Sequence, residues 1–142
     1  MKFDCDLFVI GGGSGGVRAA RVAASMGYKV YIAEGDRMGG SCVIRGCVPK
    51  KLMVYASKYS ENFKEAKKYG WNISVKDFNW VGFQEKLDAE LDRLESVYRK
   101  LLKNSDVKVF NEWAQISDAH TVVLTSGKKI TSKFILIATG GE

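Results

Sequence analysis

The stretch from Phe3 to Glu34 constrains this chain more than any other. Phe3 to Ile10 ends in four apolar residues and stops at Gly11, the pattern of a strand buried on both faces. From Ser14 to Met26 the period turns helical. At about 100° per residue, Ser14, Arg18, Arg21 and Ser25 share a polar stripe, and Gly16, Ala19, Ala20, Ala23 and Met26 lie opposite, small enough to let the helix lie close on a sheet. Gly27 ends the helix and Lys29 to Glu34 resumes as a strand. A strand, helix and strand within about 30 residues make a parallel unit with a right-handed crossover, so the fold is expected to be α/β.

The turn inside this unit carries chemistry. Gly11-Gly12-Gly13-Ser14-Gly15-Gly16 holds G-x-G-x-x-G at 11, 13 and 16. Gly11 permits the tight turn, Gly13 lets a pyrophosphate approach the backbone, and Gly16 lets helix and strand pack closely. The helix start offers unpaired N–H groups to the anion. Glu34, 18 positions past Gly16, ends the second strand, where a carboxylate accepts from a ribose 2′-hydroxyl and repels a 2′-phosphate. FAD and NAD both fit this fingerprint.

Gly35 to Ser41 reads as a loop, followed by a Cys-rich turn and a helix from Pro49 toward Lys68. A longer helix is marked by Trp80, Phe83, Leu87, Leu91, Leu94, Tyr98 and Leu101, at spacings of three and four, with Asn104 as its terminator. Short strands follow at Val107 to Phe110, Trp113 to Ile116 and Thr121 to Thr125. After the Ser126-Gly127 turn comes Phe134 to Ala138, running into Thr139-Gly140-Gly141.

Composition excludes several classes. The chain has 142 residues, a length that favours one folded unit, and 22 Lys+Arg against 16 Asp+Glu give a net charge of +6. Six of those lysines lie between Lys50 and Lys68, beside Glu61 and Glu65, on a helix with Leu52, Tyr55, Tyr59 and Phe63 beneath them. That is a solvated helix face, and no nucleic-acid-binding motif accompanies it. No stretch has the roughly 18 apolar residues a membrane span needs, and Leu7 to Ile10 follow Asp4 and Asp6 rather than a basic leader. Three cysteines, an odd count, argue against a secreted disulfide framework and for a reducing compartment.

Cys42 and Cys47 stand five positions apart. In a regular helix that separation gives about 7.5 Å of rise and a turn of about 140°, with Cα atoms roughly 8 to 9 Å apart. A disulfide tolerates at most about 7 Å, so the pair bridges only where the backbone is distorted, and Gly46 is the residue that permits it. Zinc is disfavoured because Cys5 sits in the first strand and His120 has no ligand-spaced companion. Spacing alone leaves incidental cysteines and a redox pair equally open. The upstream fingerprint favours the redox pair, since a flavin exchanges electron pairs with dithiols.

The glycine turn, Glu34 and above all Gly39-Gly40-Ser41-Cys42-Val43-Ile44-Arg45-Gly46-Cys47-Val48-Pro49-Lys50-Lys51 resemble the flavoprotein disulfide reductases, the FAD-dependent pyridine nucleotide-disulfide oxidoreductases. Pro49-Lys50-Lys51 is similar to the branch that reduces glutathione or trypanothione disulfide rather than to the lipoamide enzymes. The Val43-Ile44-Arg45 spacer is most similar to bacterial and plant-type reductases of glutathione disulfide. The resemblance spans the chain to Ile135-Leu136-Ile137-Ala138-Thr139-Gly140-Gly141, and implies a Rossmann-like parallel-sheet FAD-binding domain, its N-terminal segment, with a small antiparallel β-meander.

The resemblance further implies roles, residue by residue. Cys42 is similar to the interchange thiol that attacks glutathione disulfide, Cys47 to the thiol facing the flavin, and Lys50 to the lysine near flavin N5. Gly11, Gly13, Ser14, Gly15, Gly16, Glu34, Gly40, Ser41, Thr139 and Gly140 are similar to residues holding FAD, and Trp113 and Ala114 to the adenine-contacting pair. Ser41 departs from the commoner Thr and keeps the hydroxyl. Ser14, Arg18, Arg21 and Tyr98 are implied on the substrate side, although periodicity places Tyr98 on the Leu91 and Leu94 seam. Two arginines on the Ser14 stripe suit an anionic disulfide and repel a polyamine-linked one. The family also implies NADPH bound by a domain not in these residues, a homodimer and a cytoplasmic setting. It implies an acid–base histidine in a later domain, which leaves His120 as a surface turn residue. Residues 1–142 alone are therefore expected not to turn over. Trypanothione or dihydrolipoamide reductases of the same scaffold, and a non-catalytic flavin-binding segment, are the alternatives.

Overall fold

A computed structural model describes residues 2–141. Its elements run β1 (Cys5–Ile10), α1 (Ser14–Ser25), β2 (Val30–Ala33), a π-helical turn (Ser41–Arg45) and α2 (Cys47–Ala66) with a short 3₁₀ turn behind it. Then come α3 (Trp80–Asn104), β3 (Lys108–Phe110), β4 (Ala114–Asp118), β5 (Thr121–Leu124) and β6 (Lys129–Ile137). The strands among the described residues form one sheet in the order β3-β2-β1-β6-β5-β4. β1, β2 and β3 are parallel, and β1 also pairs in parallel with β6. β4 and β5, and β5 and β6, are antiparallel. The architecture is thus α/β, as the sequence pattern implies, and Rossmann-like with a β-meander, as the family resemblance implies.

β6 joins the two parts. Its first residues, Lys129 to Thr131, pair with β5, and Ser132 to Ile137 run beside β1. The strand therefore starts five residues before Phe134, because the hairpin at Gly127 supplies partners that the apolar pattern does not register.

Side-chain alternation along β1 splits the core. Val9 joins Val17, Ala20, Val30, Ile32, Met38, Leu102 and Val107 on the helical side. Phe8 and Ile10 join Cys5, Ala33, Val122, Leu124 and Ile130 under the meander. From Leu7 to Ile10 that is the period of two expected of a strand buried on both faces, while Cys5, the first residue of the strand, departs from it.

Two helices differ from their sequence patterns. The buried side of α1 is Gly16, Val17 and Ala20 with Ala23 and Ala24 packed beside it, whereas Met26 lies past the end of the helix and is exposed. α2 starts at Cys47, earlier than Pro49, which falls in the first turn where its missing N–H costs nothing. Tyr55 and Tyr59, expected beneath the lysines, are about half exposed, because α2 buries little beyond its first turn. No helix among the described residues is long and apolar enough to cross a membrane.

Helix α1 sits unusually close to the end of β1. A Cβ at Gly16 would lie 1.9 Å from the Gly11 carbonyl oxygen, whereas a Cβ at Gly15 would meet nothing within 4 Å. Gly16→Ala is expected to cost about 3 kcal/mol or more by urea unfolding, since backbone cannot give way as a side chain does. Gly15→Ala should leave stability unchanged or slightly higher, helices preferring Ala by about 1 kcal/mol.

Candidate functional site: a glycine-lined cleft beside a dithiol turn

The C-terminal ends of β1 and β6 and the start of α1 open onto a cleft of about 740 Å³. Gly11, with φ 111°, turns the chain there, and a Cβ on it would strike the Ala138 carbonyl at 2.3 Å. Gly13 caps α1 with no side-chain acceptor, so no side chain caps the first N–H groups of the helix. Gly40, at φ 64°, lies so close to Gly13 that a Cβ would come within 2.7 Å of its Cα. Glu34 accepts from the Gly12 N–H at 2.7 Å through Oε2 and from the Asp36 N–H at 2.9 Å through Oε1. The carboxylate is thereby aimed at the cleft it lines. Trp113 lies against Gly35 and is 64% exposed, so its ring forms a free wall at the same end.

Cys42 lines the same cleft, and Cys47 stands next to it at the start of α2. Ser41–Arg45 is a π-helical turn, and Gly46 breaks the helix geometry at φ −126°, ψ −104° before α2 begins. Bonding of residue i to i+5 brings residues five apart onto one side, where an α-helix would separate them. Gly46 is required sterically, since a Cβ would sit 2.9 Å from the Ser41 carbonyl oxygen. Cys42 and Cys47 are both free and exposed. The adjacent Cys47 thiol, hydrogen-bonded to Cys42, pushes the Cys42 thiol up, and burial and the charge of a Cys47 thiolate add to this. The Cys47 backbone N–H and Lys50 pull the other way. Cys5 lies apart from both: it is buried, and desolvation pushes its thiol up despite a hydrogen bond with Ser132.

The loop before the dithiol turn is held by α3. Arg37 bonds Glu95 at 2.7 Å and Asp92 at 2.5 Å. Glu95 also accepts from Arg99 at 2.8 Å and from the Met38 N–H at 3.3 Å, which seats Met38 fully in the core.

Of the residues singled out from sequence, Gly11, Gly13, Ser14, Gly15, Glu34, Gly40, Ser41, Cys42, Trp113, Thr139 and Gly140 line this cleft. Gly16 lies beneath it, packed on Gly11. Cys47 and Lys50 stand in the first turn of α2, outside the lining. Ala114 packs with the meander core. Arg18 is exposed, and Arg21 is half-buried with its Nε unpaired, both outside the cleft. Tyr98 packs against the helical-side core, as its periodicity indicates. His120 is an exposed turn residue whose ring meets the Ser132 carbonyl at 3.0 Å. Asp36, Arg37 and Arg45 also line the cleft, although sequence reasoning did not select them. Their one signal was position, beside Glu34 or between the cysteines.

A glycine cradle, uncapped helix N–H groups, an anchored carboxylate and an open aromatic wall suit a dinucleotide, and together they define a nucleotide-binding α/β domain with a dithiol turn. The family model for pyridine nucleotide-disulphide oxidoreductases matches residues 5–142, and the chain belongs to that family. It is 52% identical to a glutathione reductase of Burkholderia cepacia and 48% identical to one of Nostoc sp., each over the whole chain and 31% of the relative. A chloroplastic/mitochondrial glutathione reductase of Pisum sativum is 44% identical over 99% of the chain and 27% of its own length. The chain thus spans less than a third of these relatives.

Glu95 gives the cleft loop a pH dependence. Burial raises its pKa, but hydrogen bonds from Arg37, Arg99 and the Met38 N–H outweigh this and hold the carboxyl below its usual range. A depressed carboxylate contributes stability above its unfolded pKa and loses it as pH falls through the folded one. Wild-type stability should therefore drop below about pH 4.3, the unperturbed Glu value. Glu95→Gln should lose about 2 kcal/mol at pH 7 and show a shallower acid decline, both read by urea unfolding.

Proposed function

We propose that the full-length protein is an FAD-dependent reductase of glutathione disulfide driven by NADPH, in which these residues bind FAD and carry the reactive dithiol. The observation that carries the reading is one cleft that joins the α1 start and Glu34 to Cys42, with Cys47 adjacent. Support for the substrate comes from the relatives, which bear the name glutathione reductase.

The N–H groups of Ser14 and Gly15 would hold the pyrophosphate, Glu34 the adenosine ribose, and Trp113 with Ala114 the adenine. Gly11, Gly13, Gly16, Gly40, Ser41, Thr139 and Gly140 would shape the cradle, and Lys50 would place a cation beside the isoalloxazine. Bound FAD supplies two-electron exchange between the nicotinamide and the dithiol. Residues 1–142 carry one dinucleotide fingerprint, taken here by FAD, so NADPH needs a second site outside them.

Cys42 acts on the substrate. Its thiolate attacks one sulfur of glutathione disulfide, forming a mixed disulfide and releasing one glutathione thiolate. Cys47 then attacks the Cys42 sulfur, releasing the second glutathione and closing the Cys42–Cys47 disulfide. The Cys47 N–H and Lys50 offset part of the upward push that the neighbouring Cys47 thiol gives the Cys42 thiol. Arg21, with its buried Nε unpaired by protein, and the exposed Arg18, on the α1 stripe that begins at Ser14, would provide donors for the substrate carboxylates, and Tyr98 would lie on the substrate side as the resemblance implies.

Two measurements on the full-length protein test this reading. Purified wild type should be yellow with non-covalent FAD, and Glu34→Lys should lose most of its flavin on dialysis; unchanged flavin content would sink the assignment of Glu34. Cys42→Ser should retain a long-wavelength absorption band when Cys47 ionises, and Cys47→Ser should lack it. The opposite pattern would exchange the roles of the two thiols.

A further inference from the structure

Arg45 stands inside the π-helical turn, between the two cysteines, and its guanidinium bonds the Asp36 carboxylate. Asp36 in turn donates its backbone N–H to Glu34 at 2.9 Å, and Glu34 accepts from the Gly12 N–H at 2.7 Å. A continuous chain of polar contacts therefore runs from the glycine turn through the ribose acceptor to the middle of the dithiol turn. The turn's other anchors are apolar: Val43 and Ile44 are buried, Val43 against Gly39. Apolar packing fixes how deep the turn sits, while a hydrogen-bonded ion pair also fixes its direction. Arg37, the neighbouring arginine on the cleft, is already committed to Asp92 and Glu95.

We propose that Arg45 is a positioning residue for the dithiol, tethering the turn between Cys42 and Cys47 to the Glu34 loop through Asp36. This rests on reading Cys42 and Cys47 as a redox pair. The i to i+5 geometry that brings the two thiols together is uncommon in a chain that can relax to α-helix. A tether at position 45 restricts that relaxation and raises the effective concentration of one thiol at the other. Both partners are partly exposed, with side-chain exposures of 66% for Arg45 and 39% for Asp36, so the effect is modest rather than decisive.

The test is equilibration of the full-length protein in glutathione redox buffers. The dithiol and one glutathione disulfide give the protein disulfide and two glutathione thiols, and the bridged fraction is read by mass after acid quench and alkylation. Arg45→Gln and Asp36→Asn should each lower the bridging constant about threefold, as expected for an exposed ion pair. The double variant should fall no further, since the pair acts as one unit. Arg45→Lys should recover part of the loss.

Arg45→Gln separates tethering from charge, because losing the tether lowers the constant whereas losing a thiolate-stabilising cation raises it. If Arg45→Gln raised the constant while Asp36→Asn lowered it, charge would be the agent, since a cation stabilises the thiolate of the reduced form, and the tether would be refuted. Equal constants in wild type and Arg45→Gln would also refute it, leaving the redox reading intact. A wild type that never bridges in these buffers would overturn both.

Discussion

The absence of a side chain at Gly16 lets the first turn of α1 rest on the carbonyl of Gly11. With that contact made, the helix start points its uncapped N–H groups over the ends of β1 and β6, and the cleft opens in front of them. The loops that wall the cleft obey the same limit. Gly40 passes Gly13, and Gly11 passes Ala138, at separations that exclude a Cβ. Small residues here do more than permit turns; their backbones are the lining. At the start of α1 the cleft presents amide dipoles rather than side chains, held by the sheet behind them.

Around this backbone cradle the charged residues hold loops more than they attract ligands. Glu34 accepts from two N–H groups, which fixes where its carboxylate stands. Glu95 gathers Arg37, Arg99 and the Met38 N–H, so the loop after β2 is fastened to α3 while Met38 fills the core below. The excess positive charge lies largely on solvated faces, and residues 50–68, in α2 and the turn behind it, hold six lysines against Glu61 and Glu65 while α2 buries little of its own surface. The dithiol stands where α2 begins. Its two sulfurs affect one another through a turn that departs from α-helical geometry, and that coupling is visible in the raised Cys42 thiol.

The sequence by itself determined the first strand, helix and strand unit, the two long helices and the short strands around the Ser126-Gly127 turn, because each is encoded by a local period or by a turn residue with one steric use, while the meander they form was implied by the family resemblance. Glycine spacing and an acid after the second strand also placed the Gly11 to Gly16 turn and Glu34 at the cleft, because they report a backbone shape directly, whereas Gly40, Ser41, Trp113, Thr139 and Gly140 followed only from the family resemblance. Local pattern is silent on how elements meet. Only the tertiary structure decided that β6 begins early to pair with the β5 hairpin, that Tyr55 and Tyr59 remain open on α2, and that Trp113 stands free against Gly35 instead of being buried in a strand. The same holds for Asp36 and Arg45: nothing in their neighbours' sequence distinguishes them from solvated charges, and their pairing exists because two loops converge at one cleft. Hydrophobic and helical periods are properties of a segment, whereas an ion pair or an aromatic wall is a property of the distance between segments, which only packing sets.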